Sequence, residues 1–177
     1  ASLSLSGVLA SGAGSVSAVL PKSISSALWS THPEVLLIGD LNTFPDGSSD
    51  LSGALNEIDL NRFDSILIGP GLGVTKEKDV FGAAIEDFKG LLVLDADAIN
   101  RLSLTSKGFE WLNNRKGVTW LTPHVEEFKR LFPMIDPSNQ LKAGIEAAKI
   151  CNSSVLLKCA HSVISEPEGK TWQIGQV

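Results

Sequence analysis

Three glycines in five positions, Gly69-Pro70-Gly71-Leu72-Gly73, directly follow the apolar run Ser65-Ile66-Leu67-Ile68. A buried strand that ends this way delivers backbone N–H groups to one spot. Glycine also tolerates positive φ and lets a ligand approach the main chain closely. Thr75 can cap a helix expected over residues 76–88, whose positive end would face the same spot. The arrangement suits an anion at a sheet edge; the plain alternative is a tight strand-to-helix turn. Val74 stands where the third glycine of GxGxxG belongs, and no Gly-Lys-Ser/Thr follows, so neither the Rossmann fingerprint nor the Walker A loop applies.

Three further segments leave apolar runs with groups that can do chemistry. In Leu94-Asp95-Ala96-Asp97-Ala98-Ile99-Asn100, two carboxylates suit ligand hydroxyls or a Mg²⁺ shell, unless one caps the next helix. In Leu121-Thr122-Pro123-His124-Val125-Glu126-Glu127, proline ends a strand and sets a helix start, leaving His124 to hydrogen-bond a ligand, move a proton or serve the structure. In Leu157-Lys158-Cys159-Ala160-His161-Ser162, a lysine enters a loop of small residues, which suits a nucleotide phosphate or, alternatively, solvent at an edge strand.

The elements that must position these groups alternate between strand and helix. Strands are expected at 15–20, 35–38, 65–68, 91–94, 118–121, 155–158, 163–165 and 171–174, the last two forming a C-terminal β-hairpin around a turn at 165–170. The central runs are continuously apolar, as in a parallel sheet covered on both faces. The helix at 76–88 is expected to bury Val80, Ala83, Ala84 and Phe88 and to stop before Gly90 as its C-terminal glycine. Pro137-Ser138 opens a helix with Leu141, Ile145 and Ala148 on one face, and Glu127, Phe128 and Leu131 sit on a shorter one. Residues 43–52 read as a surface loop. The fold class is therefore α/β, a mostly parallel layered sheet with helices on both faces.

With 177 residues, the simplest organisation is one domain spanning 1–177. The chain opens in helical turns at 3–10 closed by Gly12 and Gly14, and stops after a hairpin strand, so the domain is expected to be incomplete at both ends. A net charge of −5 with scattered basic residues disfavours nucleic acid and anionic membrane as partners. No apolar stretch reaches the length of a membrane span. Residues 1–18 lack the basic start of a signal peptide, and Cys151 and Cys159 read as free, partly buried thiols in a reducing, cytoplasmic setting.

In order and spacing, Ser11-Gly12-Ala13-Gly14, Ile68-Gly69-Pro70-Gly71-Leu72-Gly73, Leu94-Asp95-Ala96-Asp97-Ala98, Leu121-Thr122-Pro123-His124 and Leu157-Lys158 resemble the ADP/ATP-dependent NAD(P)H-hydrate dehydratases, a family of the ribokinase-like fold. The resemblance runs from about Gly7 to Ile174. It implies a metabolite-repair lyase that uses ADP or ATP as co-substrate, with Mg²⁺. The nucleotide would phosphorylate the ring hydroxyl of hydrated NADH or NADPH, and loss of phosphate would restore the double bond. Gly71, Gly73, Asp95, Asp97, Asn100, His124 and Glu127 would lie at the dinucleotide, and Lys158, Cys159, Ala160, His161 and Ser162 at the adenine nucleotide. It further implies a homo-oligomer and a connection to a larger repair protein, by fusion or cutting.

The departures carry their own expectations. In the family, Pro-Gly-Glu follows the histidine; here Val125-Glu126-Glu127 does, and only Glu127 keeps the pattern. The family's Lys-Gly becomes Lys158-Cys159, placing a side chain where backbone should approach the nucleotide. The family's catalytic aspartate belongs to a Gly-Thr-Gly-Asp segment that does not occur in these 177 residues, so no catalytic residue is assigned and the chain alone is expected not to turn over. A ribokinase- or thiazole-kinase-like enzyme and a non-catalytic nucleotide-binding fragment are the alternatives.

Overall fold

The computed structural model describes residues 1–75 and 81–175. The chain divides into two compact units, Ala1–Asp59 and Leu60–Val177. The first holds α1 (Ser2–Ala10), β1 (Ser17–Pro21), α2 (Lys22–Thr31), β2 (Leu36–Leu41) and α3 (Leu51–Asn56). Strands β1 and β2 pair in parallel, and Val16, Ala18, Leu20, Leu28 and Val35 form a small core against which Leu5, Val8, Leu9 and Leu37 pack. Sequence periodicity gives little sign of α2, because five of its ten residues are Ser or Thr, which compete with helical hydrogen bonds. Packing of Leu28 overrides that preference.

The expected surface loop at 43–52 is more ordered than its composition suggests. Thr43 and Ser49 bridge in antiparallel fashion, and Ser48 and Ser49 are buried. Asp46 accepts from the Ser48 amide at 2.9 Å, and Asp50 caps α3 by accepting from the Gly53 amide at 3.0 Å.

The second unit holds β3 (Ser65–Ile68), α4 (Gly82–Asp87), β4 (Leu91–Leu94), α5 (Asp97–Leu104), β5 (Thr119–Leu121), α6 (Val125–Leu131), α7 (Gln140–Cys151), β6 (Ser154–Leu157), β7 (Ser162–Ser165) and β8 (Thr171–Ile174). Its single sheet has the order β3-β4-β5-β6-β7-β8. The first four strands are parallel; β6, β7 and β8 are antiparallel, so the last two form the expected hairpin. Leu92, Leu94, Leu121, Val155, Leu157 and Val163 are fully buried, whereas Val93, Trp120, Leu156 and Ile164 on the other face are partly exposed.

Two expected helix faces are corrected. In α4 the buried positions are Phe81, Ile85 and Phe88, with Ala83 exposed and Ala84 half-buried; Val80 and the expected start of this helix lie outside the described residues. Gly90 is no helix cap: Phe88 closes α4 in extended backbone, and a Cβ on Gly90 would lie 2.5 Å from the Asp64 carbonyl oxygen. In α7 the inward face is Ala143, Gly144, Ala147, Ala148 and Cys151, while Leu141 and Ile145 are 42% and 37% exposed. The helix rides so close to β7 that a Cβ on Gly144 would meet Ser165 Oγ at 2.9 Å, so small residues must face in and the larger ones turn out. Asn139, rather than Pro137-Ser138, caps it. Burial pushes the Cys151 thiol up to about 12, which makes it an inert core residue.

Close approach also dictates the first glycine of the loop after β3. Gly69 sits at φ +138, and an added Cβ would stand 1.7 Å from the Asp95 carbonyl oxygen. Gly71, at φ +80, has nothing within 4 Å of the same position. Gly69→Ala is expected to destabilise the fold by about 3 kcal/mol or more, and Gly71→Ala by only about 1 kcal/mol, in urea denaturation. Equal losses would contradict this account of the loop.

Candidate functional site

The four parallel strands of the second unit end at one edge, and their hydrogen-bond ladder continues one step beyond them. Asp95 N–H donates to Ile68 O (3.1 Å), Thr122 N–H to Leu94 O (3.1 Å) and Lys158 N–H to Pro123 O (2.8 Å). Gly69, Asp95, Thr122 and Lys158 therefore leave the sheet side by side, at the carboxyl edge where ligands of open α/β sheets gather.

Lys158 and Asp95 meet across the strand between them. Lys158 Nζ donates to Asp95 Oδ1 at 2.7 Å. Burial alone would raise the Asp95 pKa, but hydrogen bonds from Lys158, Thr122 and the Ala96 amide, with the ammonium charge, outweigh it and hold the carboxyl below its ordinary range. Neither carboxylate of the Asp-Ala-Asp segment caps α5. Its N-cap is Ala96, held at φ 49 and ψ −119 in a turn closed by Ala98 N–H to Asp95 O at 3.1 Å. That conformation is costly for a residue with a Cβ.

The glycine loop begins with a turn in which Leu72 N–H reaches Gly69 O at 3.0 Å, Pro70 and Gly71 filling the type II positions. Its backbone is not bare. Gly73 N–H donates to Asp97 Oδ2 at 2.8 Å. Arg101, only 2% exposed, donates through Nη2 to Leu72 O (2.7 Å) and through Nε to Gly73 O (2.6 Å). Sequence inspection passes over Arg101; the available signal is its spacing of four from Asp97, which puts both on one face of α5.

His124 is committed to structure as the N-cap of α6. Its Nδ1 accepts from the amides of Glu126 (3.1 Å) and Glu127 (3.4 Å), while the buried Glu127 carboxylate accepts the His124 amide at 2.9 Å. This is a capping box with histidine in the role usually taken by serine or threonine. The ring proton then sits on Nε2, 3.2 Å from Glu127 Oε1. Half of the imidazole remains exposed at the sheet edge. Asn100 Oδ1 accepts from Arg130 Nη1 at 2.8 Å, tying α5 to α6.

After Lys158, Cys159 folds its thiol back onto the turn, with Sγ 3.0 Å from His161 O and 3.6 Å from Leu157 O. Its side chain thus closes the turn rather than projecting from it. Ser162 Oγ donates to Cys159 O at 3.3 Å, and Ala160 and His161 are exposed. Among the described residues, no three of His, Cys, Asp and Glu stand close enough to hold a metal ion.

Solved structures that resemble this one share its layered architecture. An ADP/ATP-dependent NAD(P)H-hydrate dehydratase from Bacillus subtilis, co-crystallised with ATP/Mg²⁺, matches with a TM-score of 0.70 over 98% of this chain and 58% of its own, at 20% identity. A ribokinase-like superfamily protein from Enterococcus faecalis matches with a TM-score of 0.68 over 99% and 58%, at 21% identity. The fold is thus ribokinase-like. In sequence, the NAD(P)H-hydrate dehydratase family matches residues 1–176, and the chain belongs to that family. The bifunctional NAD(P)H-hydrate repair enzyme Nnr of Synechocystis sp. is 43% identical over 171 residues, 95% of this chain, and that of Gloeobacter violaceus 34% over 166 residues, 94% of this chain. The chain spans 31% of the length of each of these curated relatives.

Because the Asp95 pKa is lowered by folding, its pair with Lys158 stabilises the protein above the unfolded value near 3.8, and that contribution is lost as pH falls through the lower folded value. Both side chains are partly exposed, so the contribution is about 1 kcal/mol at most. Urea denaturation should show the parent losing stability relative to Asp95→Asn below about pH 4. Parallel acid limbs would contradict the pairing.

Proposed function

We propose that this chain supplies the nucleotide- and dinucleotide-binding core of an ADP/ATP-dependent NAD(P)H-hydrate dehydratase. The observation that carries it is the convergence of Gly69–Gly73, Asp95, His124 and Lys158 at one sheet edge, with Lys158 and Asp95 in direct contact. Family membership supplies the chemistry.

In this reading, Lys158 and the turn of Cys159, Ala160, His161 and Ser162 receive the phosphates of ADP or ATP. A lysine beside exposed backbone suits such a group, and a phosphate arriving there would compete with Asp95 for the ammonium. Gly71 and Gly73, with Asp95, Asp97, Asn100, His124 and Glu127, border the hydrated nicotinamide dinucleotide. Mg²⁺ would enter with the nucleotide and offset the phosphate charge. The terminal phosphoryl group would pass from ADP or ATP to the ring hydroxyl oxygen, releasing AMP or ADP; loss of inorganic phosphate and of the neighbouring ring proton would then restore the double bond. The aspartate that would take the hydroxyl proton belongs, in the family, to the Gly-Thr-Gly-Asp segment. A cytoplasmic homo-oligomer, functioning within a longer repair protein, goes with this reading.

The test uses a protein in which this chain is extended at both ends with flanking sequence from its repair-enzyme relatives. Given hydrated NADH, ADP or ATP and Mg²⁺, it should regenerate the near-ultraviolet absorbance of NADH. Stable phosphorylated product without NADH would point to a kinase, and nucleotide binding without turnover to a binding module; either overturns the proposal.

A further inference from the structure

The glycine loop carries more information than its sequence motif. Leu72 C=O and Gly73 N–H belong to one peptide unit, and α5 holds both ends of it: Arg101 Nη2 on the carbonyl at 2.7 Å, Asp97 Oδ2 on the amide at 2.8 Å. The next carbonyl, Gly73 O, is taken by Arg101 Nε at 2.6 Å. Two side chains one helical turn apart thus lock this peptide against rotation, using charge-assisted hydrogen bonds that are stronger than neutral ones. The planar guanidinium spans the two successive carbonyls in a way that a lysine ammonium cannot. The buried position of Arg101 keeps water from competing.

The lock has a consequence for the ligand. The Gly73 amide, which would otherwise be an anion donor, already faces a carboxylate, so it is not offered to a phosphate. What remains outward is Gly71, exposed and with nothing within 4 Å of a would-be Cβ. An exposed glycine apex whose following loop amide is already taken by Asp97 suits the close approach of an uncharged ring better than that of a phosphate, which would need that donor.

We infer that Asp97 and Arg101 are positioning residues: they fix the glycine loop so that Gly71 meets the ring portion of the dinucleotide, while Gly73 is scaffold. This rests on the repair-dehydratase reading. The test measures NADPH and ATP affinities by calorimetry, together with amide exchange at Gly73. Arg101→Leu is expected to weaken NADPH about tenfold while ATP stays within about twofold, with faster exchange at Gly73 and no rescue by Arg101→Lys. Should Arg101→Leu fail to fold, Asp97→Asn decides, with an expected loss of NADPH affinity of about threefold or more. Unchanged NADPH affinity in a folded variant overturns the inference, as does an equal loss of both ligands, which would signify general loosening. If the parent protein binds ATP but not NADPH, the repair-dehydratase reading fails and takes this inference with it. That outcome is recognisable because it appears before any substitution is made.

Discussion

Parallel strands in register must end together, and everything at this site follows from that constraint. Ladder bonds from Asp95, Thr122 and Lys158 extend the sheet one residue past its strands, so four chain segments leave it in a row. The packing this produces is tight enough that Asp95's carbonyl occupies the space a side chain at residue 69 would need. Gly69 is therefore a glycine for the sake of the protein's own backbone. Gly71, by contrast, is exposed, while Leu72 is buried and the Gly73 peptide is held by Asp97 and Arg101.

Charge at this edge is arranged in opposed pairs. Asp95 holds Lys158, and Asp97 holds a backbone amide whose neighbouring carbonyls hold Arg101. Pairing offsets the desolvation that ionised groups suffer when partly buried. The strained turn at Ala96 lies between the two carboxylates and sends them in different directions, one to β6 and one to the glycine loop.

The central strands are legible because continuous apolar runs bounded by Gly and Asp leave little ambiguity: 65–68 and 91–94 coincide with β3 and β4, while β8 at 171–174 is marked instead by the turn residues before it. Helix faces were less legible. In α7, proximity to β7 selects small residues for the interior, which inverts the usual rule that large apolar residues point inward. In α2, serine-rich composition hides a helix that tertiary packing supplies. At the site, the identity of the edge residues could be read from motif order, but their partners could not. Nothing local in the sequence says that Asp97 faces Gly73, or that His124 spends its Nδ1 on capping α6. Arg101 is not legible in the sequence because a single basic residue in a helix is ordinarily solvated, and only the fold brings two carbonyls to it.

The central claim is that one sheet edge receives both ligands. Backbone amide shifts recorded by NMR during titration with ATP, then with NADPH, test it most directly. The account predicts that ATP shifts the amides of Lys158 through Ser162 together with Asp95, and that NADPH shifts those around Gly71 and His124. Shifts centred away from this edge, or the same set moved by both ligands in simple competition, would contradict it.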